Sequence, residues 1–285
     1  VYLFTKALVT NSQGNVLTLQ LGDLSGGIEV RDISGLDPVK ATLVSSSFAN
    51  QDGEIYQSSR RGPRNITMKL GLQEVPGTST LLAVRRMVYS IFRPKDQVTL
   101  TFYVDDTDDS IEDGYQIVGR VESCQSSMFS QDPEVDVSIV CFDPDFVDPV
   151  AVMTYNMTSV DVNPTYFPYV GTVETGFAAT ISVHHAISEF SLIYKDPGNM
   201  TWTMDVAYPF LVGDFVRIVT TPGIKEATLT RGSTQSSILY AISPQSTWAK
   251  FAPGDNHLQL SVPGDVVVGG SISATIAYLK RFGEL

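Results

Sequence analysis

Histidine and cysteine are scarce in this sequence, with three of the first and two of the second among 285 residues. Each shortage closes off a class of chemistry. His184 and His185 are neighbours in a predicted strand, so their side chains point to opposite faces and cannot share a metal ion. His257 falls on the polar face of another predicted strand, where an imidazole is simply solvated. Cys124 and Cys141 fall on two predicted strands that fold about a turn near Ser130–Pro133. That fold pairs Cys124 with a residue near Asp136 and Cys141 with one near Gly119, which leaves the thiols too far apart for a disulfide. Free, buried thiols are expected, and they suit a reducing cytoplasm. Basic residues are also short, at 19 against 31 acids, for a net charge of −12. Tight, sequence-independent phosphate binding needs the reverse balance. The acidic surface is instead compatible with one that DNA passes without sticking.

Other things are missing altogether. No apolar run approaches the length of a membrane span, so no membrane insertion is expected. Val1–Thr10 has neither a charged leader with an apolar core nor a cleavage site, and no signal peptide is predicted. The Asn-x-Thr triplets at Asn65, Asn156 and Asn199 then read as ordinary strand and turn residues. There is no nucleophile elbow, zinc helix, phosphate-binding loop or dinucleotide fingerprint. The expectation is a non-enzyme with no catalytic residue, metal or cofactor.

What remains is the punctuation of a β protein. Gly, Pro, Asn and Asp clusters recur about every ten residues, and the runs between them are rich in Val, Ile, Thr, Tyr and Phe. The runs predict strands over 2–9, 15–21, 28–33, 40–48, 64–72, 97–104, 115–124 and 134–142. A second series covers 178–184, 189–194, 201–206, 214–220, 225–230, 236–242, 257–262 and 271–280. One stretch breaks the pattern. Thr78, Ser79 or Thr80 can cap a helix whose apolar face is Leu81, Val84, Val88 and Ile91, with Arg86 and Arg93 on the opposite side and Pro94 as the stop. The fold class is therefore mainly β, with one α-helix. A boundary is predicted after Cys141–Phe146, giving an N-terminal domain over 1–147 and a C-terminal β-sandwich over 148–285. The Pro-containing stretch to Pro168 reads as a linker with at most one strand.

Charge is concentrated in two places. The run Asp105–Gly114 holds enough carboxylates for calcium but lacks the ligand spacing of a helix-loop-helix calcium site, so a solvated hairpin loop competes with an ion site. The cluster Arg60, Arg61, Gly62, Pro63, Arg64 reads either as a solvated loop or as a contact to a neighbouring acidic subunit. With Arg86 and Arg93, these arginines are the candidate subunit-interface residues.

The order of the turns carries a family resemblance. Ile28–Ser34 runs into Gly35, Leu36, Asp37 and Pro38, followed by the Asp52–Gly53 turn, the Arg64–Leu70 strand, the helix, and Gly114–Ser123 leading to Asp143–Pro144. Later come Gly213–Asp214, Trp248, and the Pro253–Asn256 turn with Gly254. This sequence of motifs resembles the distal tail proteins of long-tailed bacteriophages. The resemblance implies an N-terminal β-rich belt domain with a helix, a C-terminal galectin-like β-sandwich, and a ring, expected to be a hexamer. Such a ring joins the tail tube to the tail tip or baseplate hub, beside tape-measure and tail-tip proteins, and leaves a channel for DNA ejection. It also implies a virion protein assembled in the host cytoplasm, and the sequence departs from longer members in showing no inserted carbohydrate-binding module. Gly35, Pro38, Asp52, Gly53, Asp143, Pro144, Gly213, Asp214, Gly254 and Asn256 become fold-defining turn residues. Two alternatives stay open: a carbohydrate-binding module for host adsorption, using Trp202, Trp248 or Tyr240, and a tail tube protein.

Overall fold

Thr80 holds extended backbone, and its hydroxyl accepts the amide of Ala83 at 3.3 Å, which starts the helix α1 (Leu81–Ile91). Val84, Val88 and Ile91 are buried. Leu81 shares their face by spacing but sits at the first helical position and stays exposed. The structure is a computed structural model that describes residues 4–20, 22–49, 52–104, 114–127, 132–150, 152–153, 157–161 and 164–285. The acidic run through Asp113, the tip near Ser130 and Asn156 lie outside these residues.

Contacts divide the chain into two compact units, Val1–Pro149 with Phe282–Leu285, and Val150–Arg281. In the first, alternation sets the core. Along Arg64–Leu72, Ile66, Met68 and Leu70 are buried while Asn65, Thr67 and Lys69 between them are exposed. The strands are β1 (Phe4–Asn11), β2 (Val16–Gln20), β3 (Ile28–Ser34), β4 (Ala41–Ser46), β5 (Ile55–Arg61), β6 (Arg64–Leu72), β7 (Gln97–Val104), β8 (Tyr115–Ser126), β9 (Glu134–Cys141) and β10 (Phe146–Val147). An antiparallel sheet runs in the order β2-β1-β7-β8-β9-β6-β3, with β10 on β8. Helix α1 packs its buried stripe into the core that this sheet lines. Strands β4 and β5 pair only with each other. Cys124 lies opposite Val137, one residue from the expected partner, and both thiols are free.

The second unit comprises β11 (Val152–Met153), β12 (Met157–Thr158), β13 (Thr165–Tyr169), β14 (Phe177–Val183), β15 (Ile187–Lys195), β16 (Thr201–Phe210), β17 (Phe215–Val219), β18 (Glu226–Arg231), β19 (Thr234–Ser237), β20 (Gly254–Ser261) and β21 (Ile272–Tyr278). One sheet runs β11-β21-β14-β17-β18-β19, and the other runs β13-β20-β15-β16. Inward side chains of both close over one core, which makes a β-sandwich. Phe251 sits inside it, with ring centroids of Phe177 at 4.8 Å and of Phe167 and Tyr278 at 5.2 Å. A last short strand, β22 (Arg281–Phe282), carries the chain back beside β10.

Several expectations need correction. His184 and His185 are not in a strand. They occupy the exposed bend after β14, where their amides donate to Ser271 and end the ladder. The strand expected over 236–242 stops at Ser237, and Leu239–Ala241 form a 3-10 turn whose tight hydrogen bonds an extended strand cannot make. The stretch read as a linker with at most one strand holds β11, β12 and β13, and β13 pairs with β20 over five residues. Strand β5 lies where a loop was expected.

Candidate functional site

Strands β4 and β5 form a two-stranded ribbon that pairs with no other strand among the described residues. The register runs from Ala41 opposite Arg61 through Leu43 opposite Ser59 to Ser46 opposite Ile55, with a bulge between Val44 and Ser45. Residues facing each other share a face, so Leu43 and Tyr56 lie on one side of the ribbon and Val44 and Ile55 on the other. All four are exposed, Leu43 to 68% and Tyr56 to 61%. Phe48 beyond β4 is exposed as well. An isolated hairpin is marginally stable in water, and this one leaves apolar groups uncovered on both sides. Ile55–Arg61 went unread because it is exposed throughout and has no alternating buried face. The Asp52–Gly53 turn behind a strand was the available signal, and Gly53 has the positive φ (+93°) such a turn uses.

The root of the ribbon is built around a buried arginine. Arg64 is 2% exposed. Its Nε donates to Pro144 O at 2.7 Å, Nη1 to Gly35 O at 2.6 Å and Asp37 O at 2.7 Å, and Nη2 to Gly283 O at 2.5 Å. The guanidinium carbon lies 4.5 Å from the Phe146 ring centroid. Burial pushes this guanidinium below the ordinary arginine value, while Cys141 and Asp145 pull the other way. It remains a cation, since no neighbour can take its proton at accessible pH. Both readings of the basic cluster therefore fail for Arg64, whose donors are consumed inside its own unit. Beside it, Arg61 forks onto the buried Asp145, with Nη2 at 3.0 Å from Oδ2. Arg60 stays exposed on the ribbon.

Gly35 makes this approach possible. Its φ is +91°, and a Cβ there would stand 2.0 Å from Asn65 O, so a side chain would force β6 away. Pro38, exposed just past it, lies between β3 and β4. Asp143 accepts the amide of Asp145 at 3.4 Å and shapes the turn that presents the Pro144 carbonyl. Gly35, Arg61, Arg64, Asp143 and Pro144 thus meet at one place. Arg86 on α1 and Arg93 after it are exposed elsewhere on the unit, and Asp52 and Gly53 occupy the ribbon's distal turn.

The remaining turn residues hold the second unit together. Gly213, with φ +87°, donates its amide to Val183 at 2.9 Å. Asp214, 1% exposed, accepts from Leu211 N at 2.8 Å and from Arg231 at 2.6 and 2.8 Å. The Arg231 bonds hold its carboxyl below the usual range against the opposing effect of burial. Gly254 has φ +106°. Asn256, wholly buried, accepts from Tyr194 Oη at 2.8 Å and Ala252 N at 3.0 Å, and donates to the carbonyls of Ala252 and Gly254 at 2.8 Å each. Trp248 packs against the core. Trp202 and Tyr240 are exposed but stand near opposite ends of β16, Tyr240 beside Tyr208, about 20 Å apart at 3.3 Å per residue. The three aromatics do not form one platform for a sugar. Among the described residues no three His, Cys, Asp or Glu side chains converge as metal ligands, and no helix is long and apolar enough to cross a membrane.

Residues 19–148, which include the ribbon and Arg64 at its root, match the family described as phage tail protein RIFT-related domain. No curated protein matches the chain. Among solved structures it is similar to the SPP1 Dit (gp 19.1) protein, described as a paradigm of the hub adsorption apparatus in phages infecting Gram-positive hosts. That match has a TM-score of 0.67 at 16% identity, covering 97% of this chain and 99% of that one. A chain of the activated phage P2 baseplate aligns at 10% identity with a TM-score of 0.46, covering 98% of this chain and 99% of that one. The β-rich unit with its single helix and the following sandwich thus follow the fold of the SPP1 Dit protein, and residues 19–148 match the phage tail protein RIFT-related domain family.

Proposed function

We propose that this protein is a structural component of a siphophage tail tip, a distal tail protein whose copies close into a ring, most simply a hexamer. The fold and the tail-protein domain support the tail assignment. The observation that carries self-association is the β4–β5 ribbon, which exposes Leu43, Val44, Ile55 and Tyr56 on both of its faces. The occupant we assign is a second copy of this chain. Arg60 is an exposed cation on a chain of net charge −12, so another copy offers it acidic surface. A contact between two different patches of identical subunits closes into a ring when its rotation divides a circle. The ring would join the tail tube to the tail-tip, hub and tape-measure proteins, and its channel would pass DNA without specific binding.

Sedimentation of the purified protein, with electron microscopy of virions carrying it labelled, tests this reading. Closed rings at the distal end of the tail are expected. A monomer at high concentration, with no rings in virions, refutes it, and long filaments point to a tail tube protein instead.

A further inference from the structure

The residues that hold the ribbon's root are not all near it in sequence. Gly35 and Asp37 lead into β4, and Arg64 follows β5, so its guanidinium ties the two roots together. Of the two other acceptors, Pro144 precedes β10 and Gly283 is 219 residues away. The same returning segment adds more contacts in the first unit. Leu285 N donates to Leu36 O at 3.2 Å, between the two carbonyls that Arg64 holds. The Phe282 ring meets Tyr115 edge-on at 5.0 Å, and Phe282 and Leu285 both pack on the first core. Without Gly283, a buried guanidinium N–H would have no protein acceptor, which is costly for a charged donor. Without Leu285 the Leu36 carbonyl loses its backbone partner. The root is therefore incomplete until Phe282–Leu285 are in place.

We propose that Phe282–Leu285 act through Arg64 as a latch that fixes the root of the β4–β5 ribbon, making the ribbon competent to dock on another copy only when the whole second unit has been synthesised. This rests on the ribbon being the self-association surface. Residues 1–149 leave the ribosome first, and the latch follows after the second unit, roughly 7–27 s later at about 5–20 residues per second. During that interval a nascent first unit exposes an apolar ribbon on a loose root. Loose geometry keeps it from docking on neighbouring nascent chains, because a specific interface needs its apolar anchors held in register.

The test compares the intact chain, a chain lacking Phe282–Leu285, and full-length Phe282→Ala and Leu43→Asp variants, by hydrogen exchange and sedimentation. Loss of the segment is expected to speed exchange of the Arg64 and Asn65 amides at least tenfold, leave β14 and β21 protected, and shift the protein to monomers. Phe282→Ala keeps the Gly283 carbonyl and should move both readouts the same way by less, even if the shortened chain folds poorly. Unchanged exchange at Arg64 and Asn65 in both variants overturns the latch. Association that survives loss of the segment but not Leu43→Asp overturns its control of docking and leaves the ribbon as the interface. Association that also survives Leu43→Asp, or an intact protein that never associates, overturns the docking reading and with it the inference.

Discussion

Replacing Asn256 with alanine should unfold the second unit more easily than any substitution at an exposed turn. The amide serves two acceptances and two short donations. The Gly254 carbonyl sits at an exposed turn where water can replace the lost donor. Tyr194 Oη and the Ala252 amide have less recourse, because Tyr194 is buried and burial pushes its phenol up to about 12, keeping it a donor. A buried group left without a partner costs about 1–3 kcal/mol, so two of them set an expected loss of about 3 kcal/mol. At an unfolding entropy of about 2 cal/mol/K per residue, that lowers the midpoint of this unit by about 10 °C. The assay is unusually clean, since the chain's two tryptophans, Trp202 and Trp248, both lie in the second unit. Fluorescence during urea or thermal unfolding therefore reports that unit alone. A double-mutant cycle with Tyr194→Phe should show coupling of about 1 kcal/mol. A loss below about 1 kcal/mol for Asn256→Ala, or no coupling, would mean the sandwich does not depend on this network.

Three further outcomes are expected. Burial pushes the Cys124 and Cys141 thiols up to about 11 each, so only about one in a thousand is ionised at pH 8. A thiol-disulfide reagent should label the half-buried Cys124 slowly and the buried Cys141 more slowly still in the native protein, and both at once in denaturant; immediate native labelling of Cys141 refutes its burial. For Asp265, burial acts to raise the pKa, but hydrogen bonds from Ser159, Ser271 and the Val267 amide outweigh it and hold the carboxyl at about 2. A lowered folded-state value stabilises above the unfolded value of 3.8, and that contribution is lost as pH falls from about 4 to about 2. Asp265→Asn should flatten this part of the fluorescence-monitored stability curve, and an unchanged curve counts against the bonds. Gly35→Ala should cost more than about 2 kcal/mol, from the left-handed backbone and the clash at Asn65 together. Gly53→Ala should cost only about 1 kcal/mol, since a side chain there meets open space. Equal losses by circular dichroism would refute the packing argument.

Strands with one wet face were plain from the amino acids. In β20, buried Leu258 and Leu260 alternate with half-exposed His257, Gln259 and Ser261. The helix was legible for the same reason, and Thr80, one of three candidate caps, is the one that starts it. Strand β5 was hidden because Ile55–Arg61 is exposed throughout, and an element with no buried side has no apolar period to read. Arg64 was misread for a different reason. Local composition showed a basic cluster, but three acceptors from distant turns and a fourth from the far end of the chain decide that this arginine lies inside. Burial of a charge is a property of tertiary contacts, and a window of neighbours does not contain them. Half of the candidate site was visible, in the Gly35–Pro38 and Asp52–Gly53 turns, and the half that closes it was not.

The return of the chain also makes the sandwich an insertion. It enters after Pro149 and leaves before Phe282, through β10 and β22, which lie side by side. A host fold tolerates a guest whose two ends emerge together, because the guest can change in size without moving the host's own strands. The first unit is thus a frame with a built-in cassette position, where the guest can diverge or be exchanged while the frame keeps its sheet, helix and ribbon.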